Sequence, residues 1–171
     1  MKKLTTITLV LLLVAATGHA QKYAFVDTEY ILNNIPAYLA AQDQLEQYSK
    51  EWEQEIKTMY EEVDRLYKKY QSEQVLLTEE MKRAREDEII NKEREVKELQ
   101  NKYFGPEGEL FKKRQELIKP IQDEIYNAVK GIAVEGGYAV IFDTSSDVSM
   151  LYTDPKYDRS DEVLEKLGYK N

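Results

Sequence analysis

Cysteine is absent from the 171 residues, and there is one histidine, at position 19. Without cysteine there can be no disulfide, no thiolate nucleophile and no cysteine-ligated zinc. Proline occurs four times and glycine seven times, and no glycine-rich loop of the P-loop or dinucleotide-binding kind is present. The chain is also short of net positive charge, with 24 basic residues against 32 acidic ones. That balance disfavours nucleic acid or an anionic membrane surface as a partner.

Residues 1–20 read as a secretory signal peptide. Lys2 and Lys3 precede an apolar run from Leu4 to Ala16, and Gly18-His19-Ala20 sets small residues at −3 and −1 of a cut before Gln21. The run is short for a membrane span, so no transmembrane segment is expected after cleavage. Removing it takes two lysines and no acid, leaving 22 basic residues against 32 acidic ones and a net charge of −10. His19 leaves too. A Ser-His-Asp triad and histidine-ligated metal are then excluded, and neither enzyme chemistry nor a cofactor is expected.

What is abundant is helix-forming polar sequence. Between Pro36 and Pro120 glycine is sparse and Glu, Lys, Gln and Arg are dense. Trp52, Ile56, Met59, Val63, Leu66 and Tyr70 recur at spacings of 4, 3, 4, 3 and 4, which is a heptad seam. Leu45 keeps the phase farther back. Met81, Ile89, Val96, Leu99 and Tyr103 form a weaker return stripe, continued by Leu110, Leu117, Ile121, Ile125, Ala128 and Ile132. Thr78 lies midway between the prolines and is followed by Glu79 and Glu80, a good helix start. The pattern predicts a helical hairpin over 37–119, with its tip near 76–78 and limbs of roughly 60 Å.

Gly105-Pro106-Glu107-Gly108 interrupts the return limb, since proline and glycine both oppose helix. Reflection through residue 78 sets this break opposite Tyr48–Glu51 and pairs Phe104 with Trp52. Gly105, Pro106 and Gly108 are either a hinge or a loop bulge. Val75, Leu76, Leu77 and Met81 either close the tip or are offered to a ligand.

The ends form a body, residues 21–36 and 120–171. Strands are predicted at 23–27, 138–143 and 148–153, the last two as a hairpin, together with short helices capped by Thr28 and Ser160. YAVIFD at 138–143 is apolar at nearly every position, so both faces of that strand need cover. A small body of this kind calls for oligomerisation. Phe25, Val26, Val140, Ile141, Phe142 and Leu151 are the candidate core of the body and of its self-association. The expected class is α+β: a long antiparallel helical hairpin on a small β-rich body.

YAFVDTEYILNNIPA after a signal peptide, a helical stretch of about 80 residues and the closing GYAVIFDTSSDVSMLYTDPKYDRSDEVLEKLG resemble the Skp/OmpH family of periplasmic chaperones. The resemblance implies a homotrimer whose arms enclose a cavity. It also implies a holdase that binds unfolded outer-membrane proteins without ATP and prevents their aggregation. One departure stands out: the best-known relatives are basic, whereas this chain is acidic. Lys82, Arg83 and Arg85, and Lys112, Lys113 and Arg114, are interleaved with acids and read as mixed-charge faces.

Tyrosine suits adaptable contacts, having an apolar ring, a polar tip and few rotors. Tyr60 and Tyr67 flank the seam one position past Met59 and Leu66, and with Tyr70, Leu76 and Leu77 they are the candidate client contacts. Tyr60 and Tyr67 could instead widen the hairpin's own packing. A structural coiled-coil spacer or tether of the cell envelope is the alternative function.

Overall fold

The computed structural model describes residues 21–146 and 150–169. Residues 1–20, the expected signal peptide, lie outside the described residues. The elements in order are β1 (Lys22–Val26), α1 (Thr28–Asn33), α2 (Pro36–Glu73), α3 (Glu79–Phe104), α4 (Glu109–Leu117), α5 (Lys119–Gly136) and β2 (Tyr138–Asp143). A 3-10 turn (Pro155–Tyr157) and α6 (Ser160–Lys166) close the chain. The class is α+β, mostly helical with a two-stranded sheet. Two compact units are present, one of residues 32–125 and one of the two chain ends.

The first unit is the helical hairpin. Pro36 opens α2 at a position where its missing N–H is not needed, and Ile35 before it is extended. At 38 residues α2 reaches about 57 Å. Only a stripe of it is covered: Leu45 and Ile56 are buried, and Met59, Val63, Leu66 and Tyr70 half-buried. On the facing α3, Ile89 and Val96 are buried, Val96 completely. Each such side chain stabilises the pair by about 1.5–3 kcal/mol when fully buried. Polar contacts fix the level of one helix against the other. Lys92 pairs with Glu62 across the seam at 3.0 Å, the Tyr70 hydroxyl donates to Glu86, and the Tyr103 hydroxyl donates to Glu55 at 2.8 Å.

At the tip, the Thr78 hydroxyl accepts from the Met81 amide at 3.3 Å, and Leu76 N donates to Glu73 O at 2.8 Å. Backbone bonds and a cap therefore make the turn. Val75 and Leu76 stay 85% and 83% exposed, while Leu77 is half-buried.

Halfway along, Trp52 stacks on Tyr103 (4.7 Å, 6°), meets Phe104 edge-on at 6.3 Å and carries Tyr48 on its other side at 5.5 Å. This is the pairing expected from reflection through residue 78. Directly after it, Gly105–Gly108 forms a tight turn closed by Gly108 N donating to Gly105 O at 2.9 Å. A Cβ on Gly108 would stand 2.7 Å from Tyr103 O, and one on Gly105 would collide with Asn101 O. Beyond the turn, Ala41, Leu45 and Ile118 form a second small core, flanked by Tyr38, Leu110, Leu117 and Ile121. Those pairings no longer centre on Thr78, because the turn has consumed a few residues of the return limb.

The second unit holds a parallel pair, with Tyr23 opposite Val140, Phe25 opposite Phe142 and Val26 opposite Asp143. Parallel strands need a long crossover, and the whole hairpin supplies it. This corrects the expected β-hairpin. Met150–Thr153 forms no strand, while Val148 and Ser149 lie outside the described residues. The far edge of β1 is taken by later chain instead: Arg159 N donates to Phe25 O at 2.9 Å, and Phe25 bridges Asp158. Ala24 and Val26 are buried, as are Ile31, Ile132, Val163 and Leu164.

Both expected caps in this unit are reassigned. Asp27, not Thr28, caps α1, its carboxylate accepting from Tyr30 N at 2.9 Å. Ser160 makes no cap bond. Its buried hydroxyl accepts from Asp27 N at 2.8 Å and donates to Asp158 at 2.6 Å, tying the end of β1 to α6. Asp143 receives Thr28 N (3.2 Å), Thr28 Oγ1 (2.7 Å), Ser145 N (3.0 Å) and Ser145 Oγ (2.8 Å). Burial works to raise the Asp143 pKa, but these bonds outweigh it and hold the carboxyl below the ordinary aspartate value.

Three outcomes follow. A carboxyl with a depressed folded pKa stabilises fully above its unfolded value near pH 4 and loses that contribution as pH falls through the folded value. Asp143→Asn should therefore cost about 1–3 kcal/mol at neutral pH, with the difference from the parent shrinking in urea titrations as pH falls below the unfolded value. Gly108→Ala should destabilise by about 1–3 kcal/mol through overpacking. Pro106→Ala, in the same turn, should change thermal unfolding by less than about 1 kcal/mol.

Candidate functional site

No enclosed polar centre is present among the described residues. No group of three or more Asp, Glu, His or Cys is placed to hold a metal ion, and every buried side-chain nitrogen and oxygen has a hydrogen-bond partner. The shifted titrations on the hairpin arise from surface pairs. A hydrogen bond to Glu86 raises the Tyr70 pKa, and one to Glu55 raises that of Tyr103. These serve packing rather than proton transfer. None of the described helices is long and apolar enough to cross a membrane.

The hairpin instead offers an extended surface. Its seam is narrow, so apolar side chains beside it remain in water. Tyr60 and Tyr67 are 49% and 50% exposed, on the flank where the heptad phase places them. Tyr70 differs: it is a half-buried seam residue whose hydroxyl is engaged by Glu86. At the tip Leu76 is open and Leu77 is half-buried. Gly105, Pro106 and Gly108 sit together in the closed turn next to the Trp52 stack.

In the sheet unit, Val26 is buried, Phe25 and Ile141 are half-buried, and Val140 and Phe142 are 47% and 41% exposed. Leu151 is almost fully exposed. The strand register puts Tyr23, Phe25, Val140 and Phe142 on one sheet face, and rings of Tyr23, Phe25, Phe142 and Tyr157 touch there. Among the described residues this apolar face stays about half exposed, with Tyr157 against Tyr23.

Sequence reasoning overlooked Ile90, 52% exposed on α3. The signal was available, because Ile90 follows the seam residue Ile89 just as Tyr60 follows Met59. Tyr126, Val134 and Tyr152 are likewise strongly exposed and carried no distinguishing spacing.

Comparison with known proteins agrees with this architecture. An uncharacterized protein of Aquifex aeolicus (strain VF5) is 28% identical over 155 residues, covering 91% of each chain. The chaperone protein Skp of Yersinia enterocolitica is 27% identical over 155 residues, covering 90% of each. The family described as outer membrane protein (OmpH-like) matches residues 22–167, nearly the whole described chain. The protein therefore belongs to the OmpH-like family.

Proposed function

We propose that this protein is a periplasmic holdase that binds unfolded outer-membrane proteins without ATP and keeps them from aggregating. The observation that carries the reading is the half-exposed pair Tyr60 and Tyr67 on a long hairpin closed by a single seam. Clients that share only exposed apolar segments call for many weak, adaptable contacts, and tyrosines on a firm support supply them at low entropic cost. Leu76 and Leu77 at the tip extend this surface. Membership of the OmpH-like family and likeness to a protein named chaperone Skp support the same role. They also favour a binding protein over an enzyme.

In this reading the chain is exported through its cleaved signal peptide and works as a homotrimer whose hairpins surround the client. The uncovered sheet face with Val140 and Phe142, and exposed Leu151, supports self-association, since an apolar face of this kind is costly in water. The Gly105–Gly108 turn serves as the hinge by which each hairpin adjusts to client size.

The test is aggregation of a denatured outer-membrane barrel protein, followed by light scattering without nucleotide, beside the mass of the exported chain. A trimer that suppresses scattering is the expected result. A chain that fails to suppress it acts as a spacer or tether. Tyr60→Ser with Tyr67→Ser should weaken protection several-fold with the helical spectrum unchanged. Full protection by that double variant would remove these tyrosines from the client surface.

A further inference from the structure

The hairpin carries an exposed apolar group at its tip and a groove near the start of α2. Val75 and Leu76 lie almost wholly in water and Met81 is half exposed, while the turn itself is held by backbone bonds and the Thr78 cap. Large apolar side chains grouped in water in this way mark a contact with another surface. The groove runs between α2 and the return helices α4 and α5, beyond the Gly105–Gly108 turn, and encloses about 580 Å³. Tyr38, Leu45, Leu110 and Ile118 supply its apolar lining, continuous with the small core around Ala41. That volume falls within the roughly 300–1,000 Å³ of sites that take up a ligand, enough for a few side chains.

Tip and groove are complementary in charge as well. Residues 73–81 include Glu73, Glu79 and Glu80 and no lysine or arginine. Lys82 takes Glu79 at 2.7 Å, whereas Glu73 and Glu80 form no ion pair among the described residues. Lys69 and Arg83 stand farther back on the two helices. In the groove Glu46 is engaged by Lys50, and exposed Arg114 forms no ion pair among the described residues. Its neighbours Lys112 and Lys113 are held by Glu109 and Glu116. Two free carboxylates at the tip thus answer a free guanidinium in the groove. They cannot meet within one copy, because the continuous helix α2 holds them about 40 Å apart. Between two copies they can.

We propose that the groove is a docking site for the tip of a second copy. Two hairpins lie side by side in opposite directions, with Val75 and Leu76 of each seated in the groove of the other and Glu73 or Glu80 set against Arg114. Such an interface is two-fold and self-complementary. Tip and groove are equally spaced on both copies, so one contact brings the second into place and doubles the area covered. Pairing takes the tip leucine and valine out of water when no client is present. The inference goes beyond the holdase reading and does not depend on it.

Because the chain has no cysteine, single introduced cysteines report the contact directly. Exported chains carrying Leu76→Cys and Gln42→Cys, mixed and treated with a short thiol cross-linker, should be joined to each other and neither to itself. Light scattering on the parent should show a mass that doubles with concentration, and Leu76→Ser should weaken that pairing roughly tenfold. Arg114→Glu should weaken it too, and Glu73→Arg with Glu80→Arg should restore it in the Arg114→Glu background, with helicity as the check on folding. A mass independent of concentration, Leu76→Cys cross-linked to itself, or a loss from Arg114→Glu that the reversed charges leave unrepaired overturns the proposal. Weaker client protection by Leu76→Ser with the mass unchanged assigns the tip to clients alone and overturns it as well.

Discussion

The hairpin depends on one narrow apolar seam. Ile56, Ile89 and Val96 are shielded while most neighbouring positions remain in water, so the helices are held by a single line of contact. Isolated helices draw little stability from propensity alone, and burying an amphipathic stripe supplies what is missing. A broader apolar face would have drawn the chain into a compact bundle. The narrow one leaves a long two-sided surface, and every feature argued for ligand contact follows from what the seam does not cover.

Because the seam is thin, its register needs anchoring. The Lys92–Glu62 pair, two tyrosine–carboxylate bonds and the Trp52 stack lie at intervals along it. The exposed ion pair contributes little by itself. The aromatic stack adds area and orientation. The break lies beside it: the return helix stops at Phe104, next to the Trp52 stack, and a turn with glycine at both ends follows. Beyond that turn Ala41, Leu45 and Ile118 make a separate contact in shifted register. The hairpin is thus two coiled segments joined at the Gly105–Gly108 turn.

The sheet unit is bound by polar ties as much as by its small core. Asp143, Asp27 and Ser160 connect β1, β2 and the helices that follow each strand. They satisfy backbone groups that two strands alone would leave unpaired. The other sheet face, with Tyr23, Val140 and Phe142, stays about half exposed among the described residues.

The sequence by itself determined the hairpin. A 3.5-residue period, Thr78 ahead of two acids and the Gly-Pro-Glu-Gly insertion are local signals whose physics needs no distant partner, and the pairing of Trp52 with Phe104 followed from symmetry about the tip. It also determined that Tyr60 and Tyr67 flank the seam, since helical phase fixes direction. Tertiary structure decided the strand partners. YAVIFD and the residues after it read as a hairpin, but strand pattern does not say which edge a strand will join, and β1 returned to claim it. Tertiary structure likewise decided that Asp27 rather than Thr28 caps α1, and that Ser160 serves a strand instead of a helix end. In each case a side chain suited to accept from a helix end is drawn elsewhere by atoms more than 100 positions away.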